Sequence, residues 1–139
     1  MLRQSSTILP IRAERPGLHE ITSHVARFVS ESGIEEGLLT LFCRHTSASL
    51  LIHENAASAA RRDTEAFFAG LAPEGAGYEH DDEGPDDMPA HLRTALTDTQ
   101  LSIPVLQGRL ALGTWQGIFL FEHRRRADRR EIVLHVIGH

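Results

Sequence analysis

Three histidines and a run of carboxylates carry the most reactive chemistry in this sequence. The stretch Tyr78 to His91 reads YEHDDEGPDDMPAH. Six of its fourteen residues are acidic: Glu79, Asp81, Asp82, Glu83, Asp86 and Asp87. It also holds His80 and His91, with Gly84, Pro85 and Pro89 between them. Such a stretch builds no core, so if it is ordered something polar holds it. A metal ion or ligand is the first candidate, and a solvated acidic loop is the plain alternative. His45 follows an apolar run elsewhere in the chain. Three histidines from separate elements, joined by Asp87 or Asp81, would suit zinc or another transition metal. The excess of carboxylates would suit magnesium. The spacing is not that of an HExxH helix. His19 and His139 read as surface residues, and His135, in an alternating strand, as structural.

A second constellation is basic. His123 to Arg130 contains Arg124, Arg125, Arg126, Arg129 and Arg130. Guanidinium forks match phosphate oxygens, so this cluster could grip a phosphate or pyrophosphate; a solvated basic hairpin is the alternative. Thr46, Ser47, Ser49, Thr114 and Gln116 add uncharged donors. There is no P-loop and no GxGxxG, and no GxSxG elbow supports a triad built on Ser47. Acid, imidazole and guanidinium together point to chemistry on a phosphorylated small molecule. In that chemistry a metal neutralises charge developing on oxygen and arginines hold the leaving group.

The elements that must position these groups follow from periodicity. Strands are expected at Leu2–Ile8, ended by Pro10, at Leu18–Ile21, and at Leu38–Cys43 and Leu50–Ile52 on either side of HTSAS. Further strands are expected at Leu101–Leu106, where Pro104 implies an edge or bulge, at Leu110–Leu112, Ile118–Glu122 and Glu131–Ile137. Val25, Phe28 and Val29 mark a helix capped by Thr22 and ended by Gly33. A second helix, about Ala56 to Leu71, has Asn55 as cap and an apolar face of Ala60, Thr64, Phe67, Phe68 and Leu71. A third starts with Asp87 as cap and Pro89 in its first turn, which carries His91 near the helix start. About seven strands and three helices in mixed order, with short hairpin links, make an α+β domain with one mixed or antiparallel sheet system.

Composition sets the outer bounds. A chain of 139 residues with 41% apolar content suits one domain, 1–139, with one core. A net charge of -5 argues against a general nucleic-acid binder. Cys43 is the only cysteine, which excludes an internal disulfide and a multi-cysteine zinc site, and its apolar setting reads as a buried inert thiol. No apolar run is long enough to span a bilayer and no secretory h-region is seen, so a cytoplasmic protein is expected.

Four stretches carry a resemblance: RHTSASLLIHEN, YEHDDEGPDDMPAH, GRLALGTWQGIFLFEHR and the closing RREIVLHVIG. They resemble the YjbQ family, catalogued as secondary thiamine-phosphate synthases, in the same order over nearly the whole chain. The resemblance implies a β-sandwich-like α+β fold, a homotrimer and weak thiamine-phosphate synthase activity. In that reaction a pyrimidine pyrophosphate alkylates the nitrogen of a thiazole phosphate and releases pyrophosphate. The matching positions are His45, Thr46, Ser47, Asn55, Asp63, His80, Asp87, His91, Gln116 and Glu122. On this basis His45, His80 and His91 are the expected ligands of a divalent zinc or magnesium ion. Asp87, Glu122 and Gln116 are the expected catalytic set. Thr46, Ser47, Asn55, Arg124 and Arg130 are expected on the phosphorylated substrate. Where the family often has an acid-proline pair, this chain has Ala57-Ser58. The alternative reading is a homotrimer that binds a metal or small ligand without catalysis.

Overall fold

The computed structural model describes residues 1–126 and 129–139. The order is β1 (Arg3–Arg12), β2 (Gly17–Glu20), α1 (Thr22–Ser32), β3 (Glu36–Cys43), β4 (Ala48–Glu54), α2 (Ser58–Leu71) and α3 (Asp87–Leu96). Then come β5 (Gln100–Leu106), β6 (Arg109–Leu110), β7 (Gln116–Glu122) and β8 (Arg129–Gly138). Five strands form one sheet in the order β1-β8-β3-β5-β6, and three form a second in the order β2-β7-β4. Every strand pair is antiparallel.

Alternation explains the sandwich. In β8, Ile132, Leu134 and Val136 are buried while Val133, His135 and Ile137 lie on the other face. They meet Leu39 and Leu41 of β3, Leu50 of β4, Ile118 and Leu120 of β7, and Val25 and Val29 of α1 in one core. A smaller cluster of Leu18, Phe119 and Phe121 lies on the other face of the three-stranded sheet, where Phe68 of α2 packs. Phe68 meets Phe121 edge to face at 5.5 Å.

Local expectations gave way where tertiary partners competed. β1 runs through Pro10, which pairs with Glu131; a proline is tolerated because β1 is an edge strand. Pro104 sits in β5, and its carbonyl accepts from Ala111 N–H, so its missing N–H faces away from β3 and the β3–β5 ladder loses no donor. None of the three expected side-chain caps forms. Thr22 Oγ1 instead accepts from Ile118 N–H and donates to Glu20, tying α1 to β7. Asn55 donates its amide N–H to Trp115 O and its side chain to Glu20, while Glu54 receives the Ala57 N–H before α2. Asp87 is the first residue of α3 rather than its cap, and its carboxylate is engaged elsewhere. On α2, Phe67 and Leu71 are 62% and 54% exposed, so only part of the expected apolar face is used.

Candidate metal centre

The acidic stretch is held by the basic one. Arg124 donates from Nε to Asp86 Oδ2 at 3.1 Å, from Nη1 to Asp87 Oδ1 at 2.7 Å, and from Nη2 to Glu83 O at 3.0 Å. The Arg125 N–H reaches Asp86 Oδ2 at 2.9 Å, and its guanidinium pairs with Glu74. Burial opposes ionisation of Asp86, but the Arg125 N–H and the Arg124 guanidinium outweigh it and hold this carboxyl below the usual range. Gly84, at φ +105°, makes the turn that brings this segment into α3.

Asp87 is the hub. It is 2% exposed, and one turn along α3 the i,i+4 spacing puts His91 on the same face. His80 Nε2 lies 2.9 Å and His91 Nε2 3.1 Å from the same oxygen, Asp87 Oδ2. His91 Nδ1 lies 2.7 Å from Thr46 O, and a carbonyl only accepts, so this nitrogen carries a hydrogen. In a neutral ring the other nitrogen is then a lone pair aimed at an acceptor. A positive charge belongs between them, supplied by a proton or by a metal ion. An imidazole whose far N–H is tied to a backbone carbonyl is the usual arrangement of a metal ligand. His80, Asp87 and His91 are the one group of potential ligands among the described residues whose donor atoms lie within 4.8 Å of each other. The donor set therefore fits a metal ion. Cavities border it: His80 lines two, of about 440 and 470 Å³, and His91 one of about 630 Å³.

His45 stands apart from this group. Its Nε2 accepts the Glu131 N–H at 2.8 Å, and the ring lines the larger cavity with His91. Burial, then Arg130, lowers its basicity. Arg130 is 4% exposed and forks onto Glu122, with Nε to Oε1 at 2.7 Å and Nη2 to Oε2 at 2.6 Å; Nη2 also reaches Ser47 O. The guanidiniums of Arg124 and Arg130 are thus both engaged by carboxylates.

Register separates the remaining site residues. Ala48 pairs with Glu122 at one end of the β4–β7 ladder and Glu54 with Gln116 at the other, roughly 20 Å apart at a strand's rise. Thr46, Ser47, Glu122, Arg124 and Arg130 lie at the histidine end. Asn55 and Gln116 lie at the far end, where the exposed Gln116 accepts from Gly113 N–H. Asp63 is exposed on α2.

One pair was not expected from the sequence. His123 is 2% exposed, its Nε2 is 3.0 Å from Ser49 Oγ, and Thr97 Oγ1 donates to that Ser49 oxygen at 2.6 Å. Burial, then Arg93 and Arg130, pushes the His123 pKa down to about 3, so the ring is neutral at pH 7. Among the described residues its Nδ1 has no partner, so none of them completes a triad. Phe119, Phe121 and His123 alternate along one face, which is the signal that could have found it.

The family model for UPF0047 protein YjbQ-like matches residues 7–139. The chain belongs to the YjbQ family. Among its YjbQ relatives, a UPF0047 protein of Synechocystis sp. is 52% identical over 137 residues, covering 98% of this chain and 93% of that protein. The UPF0047 protein YjbQ of Salmonella typhimurium is 45% identical over 128 residues, covering 91% and 93%. A YbjQ-like protein from Sulfolobus solfataricus P2 has the same fold, with a TM-score of 0.92 at 24% identity and full coverage of both chains. A hypothetical protein from Aeropyrum pernix K1 gives a TM-score of 0.89 at 28% identity, covering 97% of this chain and 99% of that one. The expected YjbQ-like α+β sandwich is therefore the fold observed, with eight strands and three helices. No described helix is long and apolar enough to cross a membrane.

Proposed function

We propose that this YjbQ-family chain is a divalent-metal enzyme acting on phosphorylated small molecules, with the metal held by His80, Asp87 and His91. The observation that carries this is the meeting of two imidazole nitrogens on one buried carboxylate oxygen, with the far nitrogen of His91 already anchored. Two imidazoles and a carboxylate favour zinc or a related ion over magnesium, which prefers oxygen ligands. When bound, such an ion supplies a Lewis acid for phosphate oxygens. The chain's own contribution is positional. Arg124 fixes Asp87 Oδ1 and so turns Oδ2 toward the histidines, while Thr46 O sets the rotation of His91. The finer reading is thiamine-phosphate synthesis from a pyrimidine pyrophosphate and a thiazole phosphate. It is a cytoplasmic setting that goes with this reading and with the unpaired Cys43 thiol, which burial pushes up to about 11.

The test is product formation from these two substrates with added zinc or magnesium. Wild type is expected to turn over, and His91→Ala and Asp87→Asn to lose roughly 100-fold or more. Turnover unchanged in both variants would defeat the reading. One observation favours the non-catalytic alternative: Arg124 and Arg130 are engaged by carboxylates rather than left for a pyrophosphate. Metal uptake without turnover of either substrate would select that alternative.

The oligomer is part of the same proposal. The outer face of the five-stranded sheet carries Ile8, Leu38, Phe42 and Leu106, each 43–51% exposed. A homotrimer that covers this face accounts for apolar side chains there.

A further inference from the structure

We infer that His45 is a fixed hydrogen-bond donor to an uncharged acceptor group of the molecule that occupies the cavity beside His91, and not a ligand of the metal. The acceptor class is a ring nitrogen or a carbonyl oxygen. The cavity's place next to a metal rests on the reading above; the state of His45 does not.

The first support is the tautomer. A backbone N–H only donates, so the 2.8 Å contact from Glu131 N consumes the Nε2 lone pair. The neutral ring then carries its hydrogen on Nδ1. That leaves no lone pair in the ring to offer a metal. No protein group among the described residues accepts from Nδ1, and the ring lines an open cavity.

The second support is the wall of that cavity. His45, Thr46, His91, Thr94, Thr97 and Thr99 line it. No carboxylate or guanidinium does, among the described residues. The hydroxyls of Thr46 and Thr99 and a neutral imidazole N–H recognise a neutral polar group. They do not compensate a phosphate, which would need a cation.

The test uses the whole protein labelled with ¹⁵N. Long-range proton–nitrogen correlations are expected to show His45 protonated at Nδ1 from pH 6 to 8, in the presence and absence of zinc. Nicotinamide, which carries both acceptor types, is expected to shift the His45 ring and the Thr97 and Thr99 amides, and inorganic phosphate is not. His45→Ala is expected to bind nicotinamide roughly tenfold more weakly, the loss of about one hydrogen bond, while keeping wild-type zinc content. An Nε2–H tautomer, zinc loss in His45→Ala, or shifts from phosphate with none from nicotinamide would each overturn the inference. If wild type takes up no zinc, the metal reading falls, and the tautomer and the nicotinamide response still decide the role of His45.

Discussion

At the residue scale, buried histidines differ in what their neighbours let them carry. His123 has a folded pKa of about 3 against 6.5 for a free imidazole. Between those values the unfolded chain binds a proton that the folded chain refuses, so stability rises with pH across this window and falls as pH drops. From pH 6.5 to 4.5 this one ring is expected to cost about 2–3 kcal/mol. His45 adds in the same direction. Urea unfolding at the two pH values checks this: His123→Gln, whose amide still reaches Ser49, should show a shallower loss than wild type. An equal loss would place the burden elsewhere. Of these roles, only the pairing of Asp87 with His91 was legible in the sequence, because i,i+4 residues share a helix face. The separation of His45 was not, since it depends on a backbone N–H 86 positions away.

At the element scale, the segment between α2 and α3 is shaped by opposite charges rather than by a core. Its acidic richness and the arginine run were both visible in the sequence. Their mutual pairing was not, because each alone reads as a ligand site. The helix starts were misread for a similar reason: Thr22, Asn55 and Asp87 are good caps in isolation, and each is drawn away by a tertiary partner. Gly84 is the pivot of this segment. At φ +105°, a side chain is strained, and a Cβ would lie 3.2 Å from Asp86 Oδ1. Gly84→Ala is expected to destabilise by roughly 1–2 kcal/mol and to weaken zinc binding, because it disturbs the approach to Asp87. Gly70→Ala, in α2 with open space around it, should leave stability unchanged or raise it by up to about 1 kcal/mol. Thermal midpoints and zinc titration of the two variants check the contrast; equal behaviour would remove Gly84 from the argument.

At the scale of the whole molecule, strand alternation made the buried faces readable, while the two-sheet sandwich was implied only by the family resemblance. Ile132, Leu134 and Val136 announce one face, and Val133 and Ile137 the other. The same alternation leaves Phe42 and Ile8 flanking Val133, and Leu38 beside Ile137, on a face where, among the described residues, these side chains stay exposed. Phe42→Arg is expected to lower the mass seen by light scattering from trimer to monomer while leaving the fold intact by circular dichroism. A monomeric wild type, or a trimer indifferent to this charge, would reject the sheet face as the contact. The candidate metal centre lies elsewhere, on α3 and the segment before it, so it can be tested separately.

The most direct measurement is the metal content of the purified protein, wild type beside His91→Ala, by elemental mass spectrometry after exposure to zinc and removal of the excess. About one transition-metal ion per chain in wild type, lost in His91→Ala, is the outcome expected of a centre built from His80, Asp87 and His91. No metal in wild type, or equal metal in the variant, would contradict it.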